Sequence, residues 1–281
     1  MISNYELRQK AHKALRGNLP IILVVALIAI LPSLIASTIV VITDSDLNTY
    51  AMNLAMDPES VVYTGTVEDL TAQMTAFVQE RGWINTLTTI VSNIVAPVLQ
   101  LGLMATILTM LRGGAPEVGM AFSRLGSFVK SVLLSLLVNL KVLLWALPGM
   151  AVMILGSVIT LTTGEGAALM LMLVGTVAMA VMMIRAAYSY AMSTLILADE
   201  PGAKVTACVR RSKGMMAGQR GQLFLLEMNY LIWNMLASMI SGMIGGVIGS
   251  TISMALQLVV MAYMTTARCA FYDAHRVQKS E

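Results

Sequence analysis

Residues 20–42 read PIILVVALIAILPSLIASTIVVI and contain no charged side chain. About 20 apolar residues in a helix are enough to cross the hydrocarbon core of a bilayer. Backbone N–H and C=O groups find no partners in lipid, so such a stretch must satisfy them within a helix. The stretch is longer than the apolar part of a secretory signal, and no A-x-A-like cleavage site follows it. It therefore predicts an uncleaved membrane-spanning helix.

The composition extends this prediction to the whole chain. Hydrophobic residues make up 57% of the 281 residues and charged residues 12%, and the mean hydropathy is +0.78. Soluble domains carry about a quarter charged residues, so much of this surface must face something other than water. The sequence also lacks the alternating segments of about ten residues that are typical of membrane β-barrels. These features exclude an ordinary soluble domain and favour an all-α membrane protein.

Five more long apolar stretches follow the first. They lie at residues 84–111, within 131–160, and at 167–188, 222–241 and 250–270. Pro97 and the sequence Leu147-Pro148-Gly149 are expected to bend the second and third stretches. We predict a polytopic membrane helical bundle of about six transmembrane helices, in which residues 1–281 form a single integral membrane domain.

Residues 43–83 form an acidic insertion between the first two stretches. Its charged residues are Asp44, Asp46, Asp57, Glu59, Glu68, Asp69, Glu80 and Arg81. Thr66 can cap a helix, and apolar residues recur after it at helical spacing as far as Val78. We predict an extracytoplasmic helical insertion that lies on the outer surface and ends at Trp83, a residue type common at membrane interfaces.

Cations are concentrated in alternate connections between the apolar stretches. Most of the 18 Lys and Arg residues lie before residue 17, at 112–130, at 199–221 and after residue 267. Cytoplasmic loops of membrane proteins carry an excess of Lys and Arg. Both termini are therefore expected in the cytoplasm, and six is the number of spans that this distribution supports.

Three basic segments, starting near residues 3, 116 and 201, each precede a pair of apolar stretches. Each is expected to form a cytoplasmic amphipathic helix, because its apolar residues recur at helical spacing. Leu15-Arg16-Gly17-Asn18 also resembles Met216-Ala217-Gly218-Gln219. This order of segments predicts a threefold internal repeat. The alternative is that any six-span protein with basic inner loops has the same order of segments without a repeat.

The cations of these segments are the expected membrane contact. Each Lys or Arg near an anionic leaflet contributes about 1 kcal/mol of attraction, so we expect anionic inner-leaflet lipids as partners and no nucleic acid. The expected contact residues are Arg8, Lys10, Lys13, Arg16, Lys204, Arg210, Arg211 and Lys213. The alternative is that these charges only set the topology. A protein partner or a homo-oligomer stays open.

Polar residues within or beside the apolar stretches form a candidate intramembrane site, because burying a charge in hydrocarbon costs roughly 3 kcal/mol. They are Lys141, Arg185, Glu227 and Asn229. Arg185 and Glu227 are expected at similar depths, which is compatible with an ion pair between them. The alternatives are a structural clamp and side chains that extend to the interface, as expected for Lys141.

Small residues recur near the turn between the last two stretches. They are Ser241, Gly242, Gly245, Gly246 and Gly249. Small residues at four-residue spacing allow two helix backbones to approach closely. We predict that they pack the fifth helix against the sixth; a contact between two copies of the chain is the alternative.

Signatures of enzymes are missing from the sequence. His12 and His275 are the only histidines, and no H-E-x-x-H, G-x-S-x-G or G-x-x-x-x-G-K motif occurs. Cys208 and Cys269 are expected to be reduced, structural thiols. A methionine stripe in the fifth stretch is interpreted as packing rather than as a copper path. We predict no catalytic activity, no metal site and no cofactor.

Several short motifs together resemble a known family. They are Glu6-Leu7-Arg8-Gln9-Lys10-Ala11 with Ala14-Leu15-Arg16-Gly17-Asn18, Leu144-Trp145 with Pro148-Gly149, Tyr188-Ser189-Tyr190-Ala191-Met192, Ala198-Asp199-Glu200-Pro201, Ser212-Lys213-Gly214-Met215-Met216-Ala217-Gly218, Leu223-Phe224 with Trp233, and Phe271-Tyr272. In this order, over nearly the whole chain, they resemble the DUF975 family of uncharacterised bacterial integral membrane proteins. Ala262-Tyr263 departs from the Pro-Tyr expected there. The resemblance implies an all-helical bacterial membrane protein and supplies no catalytic residues.

Two classes of function are open on the sequence. A non-enzymatic membrane scaffold, or a regulatory or lipid-interacting protein, needs only packing and contacts with lipids or partners. A small-solute or ion transporter or channel needs a polar cavity near Arg185 and Glu227. We expect the first class and keep the second as the alternative.

Overall fold

The computed structural model describes residues 3–43, 67–163, 167–244 and 246–277. Among these residues there are helices and turns but no strand, which confirms the all-α prediction. The α-helices are α1 (Asn4–Thr43), α2 (Val67–Leu111), α3 (Phe128–Thr163), α4 (Ala167–Tyr190), α5 (Ser193–Asp199), α6 (Val205–Met215), α7 (Arg220–Ile244) and α8 (Gly246–Val277). Two short 3-10 turns, Val118–Phe122 and Leu125–Ser127, connect α2 to α3.

Six of these helices are long and apolar enough to cross a membrane. They are α1, α2, α3, α4, α7 and α8, and each contains one of the six predicted apolar stretches. Many of their large apolar side chains are exposed, for example Leu136 on α3 and Val181 on α4. An exposed apolar surface of this kind suits a lipid environment. The prediction of a bundle with about six membrane-spanning helices is confirmed.

The core of the bundle is formed where α1 and α8 pack against the second half of α2. The buried side chains of α1 recur at helical spacing along one face. They are Leu7, Ala11, Leu15, Ile22, Ala26 and Ala29. Opposite them, α2 buries Leu101, Met104, Ile107 and Leu108. A single apolar face on each helix therefore determines which neighbour it packs against.

The pair α3 and α4, here called the α3–α4 hairpin, packs closely along its own length. Two glycines lie where the backbones meet. A Cβ atom on Gly149 would lie 2.4 Å from the backbone nitrogen of Met179, and one on Gly175 would lie 2.5 Å from that of Met153. Only glycine fits at these positions, so the two helices approach more closely here than any side chain would allow.

The first basic segment is continuous with the first span, so the prediction that this segment forms a separate amphipathic helix is wrong. Helix α1 runs without a break from Asn4 to Thr43, with Pro20 in its interior. The buried face that includes Leu15 continues at Ile22. This packing outweighs the loss of one backbone hydrogen bond at Pro20.

The second basic segment also differs from the prediction, because it forms 3-10 turns instead of an α-helix. Gly119 and Gly126 lower its helix propensity. The backbone of Ala121 lies directly against α2, where a Cβ atom on Gly102 would lie 1.9 Å from the Ala121 carbonyl oxygen. Only the third basic segment contains a separate helix, α6, which buries Cys208 and Val209. The three segments therefore differ in local structure, which does not match a repeat of three amphipathic helices.

Most of the predicted acidic insertion, residues 44–66, lies outside the described residues. The helix expected after Thr66 is present, since α2 begins at Val67. It continues past the exposed Trp83 to Leu111, so the separate helix that was expected to end at Trp83 is not observed. The extracytoplasmic location of the insertion stays a prediction.

Candidate functional site

A carboxylate is buried between three of the apolar helices. Glu227, on α7, has a side chain that is only 9% exposed. One of its oxygens accepts a hydrogen bond of 2.7 Å from Arg268 Nε on α8, and the other accepts one of 2.9 Å from Tyr188 Oη on α4. We call these three residues the Glu227 cluster. The two donors offset the cost of burying the charge and hold α4, α7 and α8 together.

The sequence was compatible with an ion pair between Arg185 and Glu227, but Glu227 pairs with Arg268 instead. The side chain of Arg185 is exposed, and no ion pair involving it is found among the described residues. Tyr188, one turn nearer the end of α4, reaches the carboxylate instead. The sequence signal for Arg268 was its position inside the last apolar stretch, since a charge there needs a partner.

A cleft lies beside the Glu227 cluster, between α4 and α7, and its volume is about 380 Å³. Most of the residues that line it are apolar. They are Ile184, Tyr188, Phe224, Glu227, Met228, Leu231, Asn234 and Met264. The rings of Tyr188 and Phe224 meet edge to face, with their centroids 5.7 Å apart. We call this feature the α4–α7 cleft; its walls suit a hydrocarbon chain better than a column of water.

The other members of the predicted intramembrane site lie elsewhere. Lys141 is half-buried within α3, well after the start of that helix at Phe128. Asn229 is half-buried on α7 but does not line the α4–α7 cleft. It lies two residues beyond Glu227, and this spacing places it on a different face of the helix. The structure therefore does not bring Lys141, Arg185, Glu227 and Asn229 together into one site.

A second group of charges lies at one end of the bundle. Asp199 closes α5 and accepts two hydrogen bonds from Arg112, of 2.7 and 3.2 Å, and one of 3.1 Å from Tyr272 Oη. It also pairs with Arg276. Asp273 accepts from Arg112 Nε at 3.2 Å and from Lys10 Nζ at 3.4 Å. We call the six residues of this network the charged end; it connects α1, α2, α5 and α8.

The charged end differs from an ordinary surface ion pair in its burial. The side chain of Asp199 is only 8% exposed. Its hydrogen bonds to Arg112 raise the pKa of that guanidinium above its usual value, and its charge acts in the same direction. At the edge of the network Arg211 and Glu200 form a more exposed pair, 2.6 Å apart, which raises the pKa of Arg211. The buried centre is the part expected to matter for stability.

The eight predicted lipid-contact residues fall into three groups. Lys10 and Arg211 are in ion pairs with Asp273 and Glu200. Arg8 is half-buried, with its Nε atom buried and without a hydrogen-bond partner in the described structure. The other five are exposed and form no ion pair within the described ranges. They are Lys13, Arg16, Lys204, Arg210 and Lys213.

The small residues that were predicted to pack α7 against α8 are described only in part. Gly245 lies outside the described residues, and for Ser241, Gly242 and Gly246 only the helical backbone is described. Gly249 is buried, and α7 and α8 pack against each other. Packing of α7 against α8 through these small residues stays a prediction.

Both cysteines are free and buried. Burial raises the pKa of the Cys208 thiol, so at neutral pH it stays protonated and unreactive. Within residues 3–43, 67–163, 167–244 and 246–277, no group of three or more His, Cys, Asp or Glu side chains is arranged to hold a metal ion.

Comparison with known proteins gives one match. A family model described as a protein of unknown function (DUF975) matches residues 1–279. No curated protein and no solved structure matches the chain. The matched range covers almost the whole sequence, in agreement with the order of motifs described above.

Proposed function

The chain belongs to the DUF975 family, whose function is unknown, and on this premise we propose that it is a multi-pass, non-enzymatic protein of a bacterial cell membrane that acts by binding anionic lipids of the inner leaflet. One observation carries this proposal. At one end of the bundle Asp199, Glu200 and Asp273 are paired within the protein, while five lysine and arginine side chains of the first and third basic segments are exposed and form no ion pair among the described residues.

The five exposed cations are Lys13, Arg16, Lys204, Arg210 and Lys213. They belong to α1 and α6 or directly precede α6, and both helices are held in the bundle by buried apolar faces. Each cation near an anionic membrane surface contributes about 1 kcal/mol of attraction. A fixed group of five favours a surface rich in phosphatidylglycerol over one of phosphatidylcholine.

The proposed orientation places both termini and these cations in the cytoplasm, because cytoplasmic connections carry the excess of Lys and Arg. A thiol introduced at Lys213 should react with a membrane-impermeant maleimide only after the cells are opened. Labelling in intact cells would contradict this orientation.

The lipid proposal is tested with a variant in which all five exposed cations are replaced by Gln. We expect the wild type to unfold at a higher temperature in bilayers containing phosphatidylglycerol than in phosphatidylcholine. The variant should lose most of this difference. A matched control exchanges Lys for Arg and Arg for Lys at the same five positions, which keeps the charge and should keep the difference. If the Gln variant retains the full preference for phosphatidylglycerol, the proposal is wrong.

The α4–α7 cleft is the observation that favours the alternative, a transporter or channel. Its position beside Glu227 agrees with that reading, but its walls are mostly apolar and its carboxylate is already paired with Arg268. A path for a polar solute needs free polar groups along it. The cleft therefore supports lipid contact better than it supports transport.

A further inference from the structure

We propose that the α4–α7 cleft, together with Arg220 one turn of α7 before it, binds one phospholipid molecule, with the phosphate on Arg220 and one acyl chain in the cleft. This inference deepens the proposed function and rests on it, because it assigns a specific lipid site to a protein that otherwise attracts anionic lipids by surface charge. Three features of α7 carry it.

The first feature is Arg220, a cation that forms no ion pair in the described structure. The Nε atom of Arg220 is buried and has no hydrogen-bond partner in the described structure, as is also true of Arg8 and Arg124. The Arg220 side chain as a whole is only half-buried. A charged group without a partner is costly to bury, so the half-exposed guanidinium of Arg220 is stabilised when an anion binds to its terminal nitrogens. A guanidinium matches the geometry of a phosphate group well. Arg220 also begins α7, so the positive end of the helix dipole lies at the same place.

The second feature is the alignment of Arg220 with the cleft. Phe224, Glu227, Leu231 and Asn234 line the cleft, and together with Arg220 they follow one another at intervals of four, three, four and three residues. This spacing keeps all five on one face of a helix. Arg220 does not itself line the cleft, but it lies one turn of α7 before Phe224 on the same face, so a chain attached to a phosphate at Arg220 is directed along that face into the cleft.

The third feature is the distance along α7 from Arg220 to the residues of the cleft. At a rise of 1.5 Å per residue, Leu231 lies about 16 Å beyond Arg220 along the helix axis, which is close to half of the roughly 30 Å hydrocarbon core, the depth of one leaflet. Glu227 lies about 10 Å from Arg220 by the same rise and is paired with Arg268. Its charge therefore does not oppose a phosphate at Arg220. The site fits a lipid whose head group stays at the membrane surface.

The experiment uses the full-length protein in mild detergent, with phosphatidylglycerol added and bound lipid counted by native mass spectrometry. The wild type should retain one phosphatidylglycerol molecule after loosely held lipid has been removed. Arg220→Gln removes the charged contact with the phosphate and should weaken this binding about tenfold. Leu231→Trp fills the cleft and should abolish retention; Met228→Trp, at the same cleft, serves if Leu231→Trp fails to fold.

Two controls match these variants. Arg185→Gln removes an exposed cation that does not line the cleft, and Leu225→Trp adds the same ring on a face of α7 that does not line the cleft; both should retain the lipid. Glycerol phosphate, which has the phosphate but no acyl chain, should not displace it. Equal retention by Arg220→Gln, Leu231→Trp and the controls, or displacement by glycerol phosphate at the concentration of the lipid, would overturn the proposal.

The two proposals fail separately in this design. If the variant lacking the five exposed cations keeps its preference for phosphatidylglycerol but the cleft variants lose the retained molecule, the surface proposal fails and the cleft is supported. If the surface variant loses its preference while the cleft variants retain lipid as the controls do, the cleft proposal fails alone.

Discussion

At the scale of single residues, Glu227 shows that the sequence can identify a buried charge but cannot identify its partners. A lone carboxylate inside an apolar stretch indicates a partner, because an isolated charge in hydrocarbon is costly. The sequence therefore identified Glu227 but not its partners, since Arg268 lies 41 residues away and Tyr188 lies 39 residues away. Contacts at that separation depend on which helices become neighbours, and single-sequence spacing carries no information about that.

We predict that Arg268→Met destabilises the protein by about 3 kcal/mol, because it leaves the carboxylate of Glu227 buried without its cation. The double variant Glu227→Gln with Arg268→Met should recover most of this loss, since neither charge then remains. Thermal unfolding in detergent measures both. Arg185→Met is the control, because Arg185 is exposed and should change stability by less than about 0.5 kcal/mol. Equal effects at Arg185 and Arg268 would contradict the pairing.

Cys208 and Cys269 should not react with a maleimide at neutral pH while the protein is folded. Both thiols are buried, and burial raises the pKa of Cys208, so little thiolate forms. Both should react after denaturation in sodium dodecyl sulfate. A thiol introduced at the exposed position Lys213, on the same helix as Cys208, is the control and should react at once. Labelling of Cys208 at the rate of the introduced thiol would show that α6 is not packed as described.

At the scale of helices, apolar length was enough to predict the six membrane-spanning helices, because lipid permits few other structures. The structure of the basic segments that precede or connect these helices was harder to predict. The 3-10 turns before α3 depend on the contact between Ala121 and Gly102, and the continuity of α1 depends on its packing against α2 and α8. These are contacts between segments that are distant in sequence, so local periodicity could not reveal them.

We predict that Gly149→Ala and Gly175→Ala each destabilise the α3–α4 hairpin by about 1–3 kcal/mol, because the added methyl group meets a backbone that cannot move away cheaply. Unfolding in detergent, followed by circular dichroism, measures this loss. Gly17→Ala is the matched control. Gly17 is also helical, but a Cβ atom there meets nothing within 4 Å, so the change should be neutral or stabilising. If all three substitutions have the same effect, the close approach of α3 and α4 is wrong.

At the scale of the whole molecule, the charged end connects helices that are far apart in the chain. Arg112 is 87 residues from Asp199 and 161 residues from Asp273. The sequence placed these residues in basic connections and in a family motif, but it gave no reason to pair them. The distribution of charge predicted that one end would be basic, whereas the buried carboxylate at its centre became visible only in three dimensions.

We predict that Asp199→Asn destabilises the protein by about 3 kcal/mol, because Arg112 and Arg276 then face each other without the charge that holds them. The variant should unfold at a lower temperature, and the loss should shrink in high salt as repulsion is screened. Glu200→Gln is the control at the next position; its carboxylate is 40% exposed, so little change in the midpoint is expected. A larger effect at Glu200 than at Asp199 would contradict the central role of Asp199.

The self-contained packing of the α3–α4 hairpin has a consequence for biogenesis. Its two helices are consecutive in the chain and contact each other far more extensively than they contact any other helix, so they can pair in the bilayer before α7 and α8 have left the ribosome. Glu227 and Arg268 lie on those last two helices and are synthesised later. Tyr188 lies on α4 and therefore belongs to the hairpin that has already paired. We therefore expect the ion pair to form late in assembly, when the C-terminal helices dock.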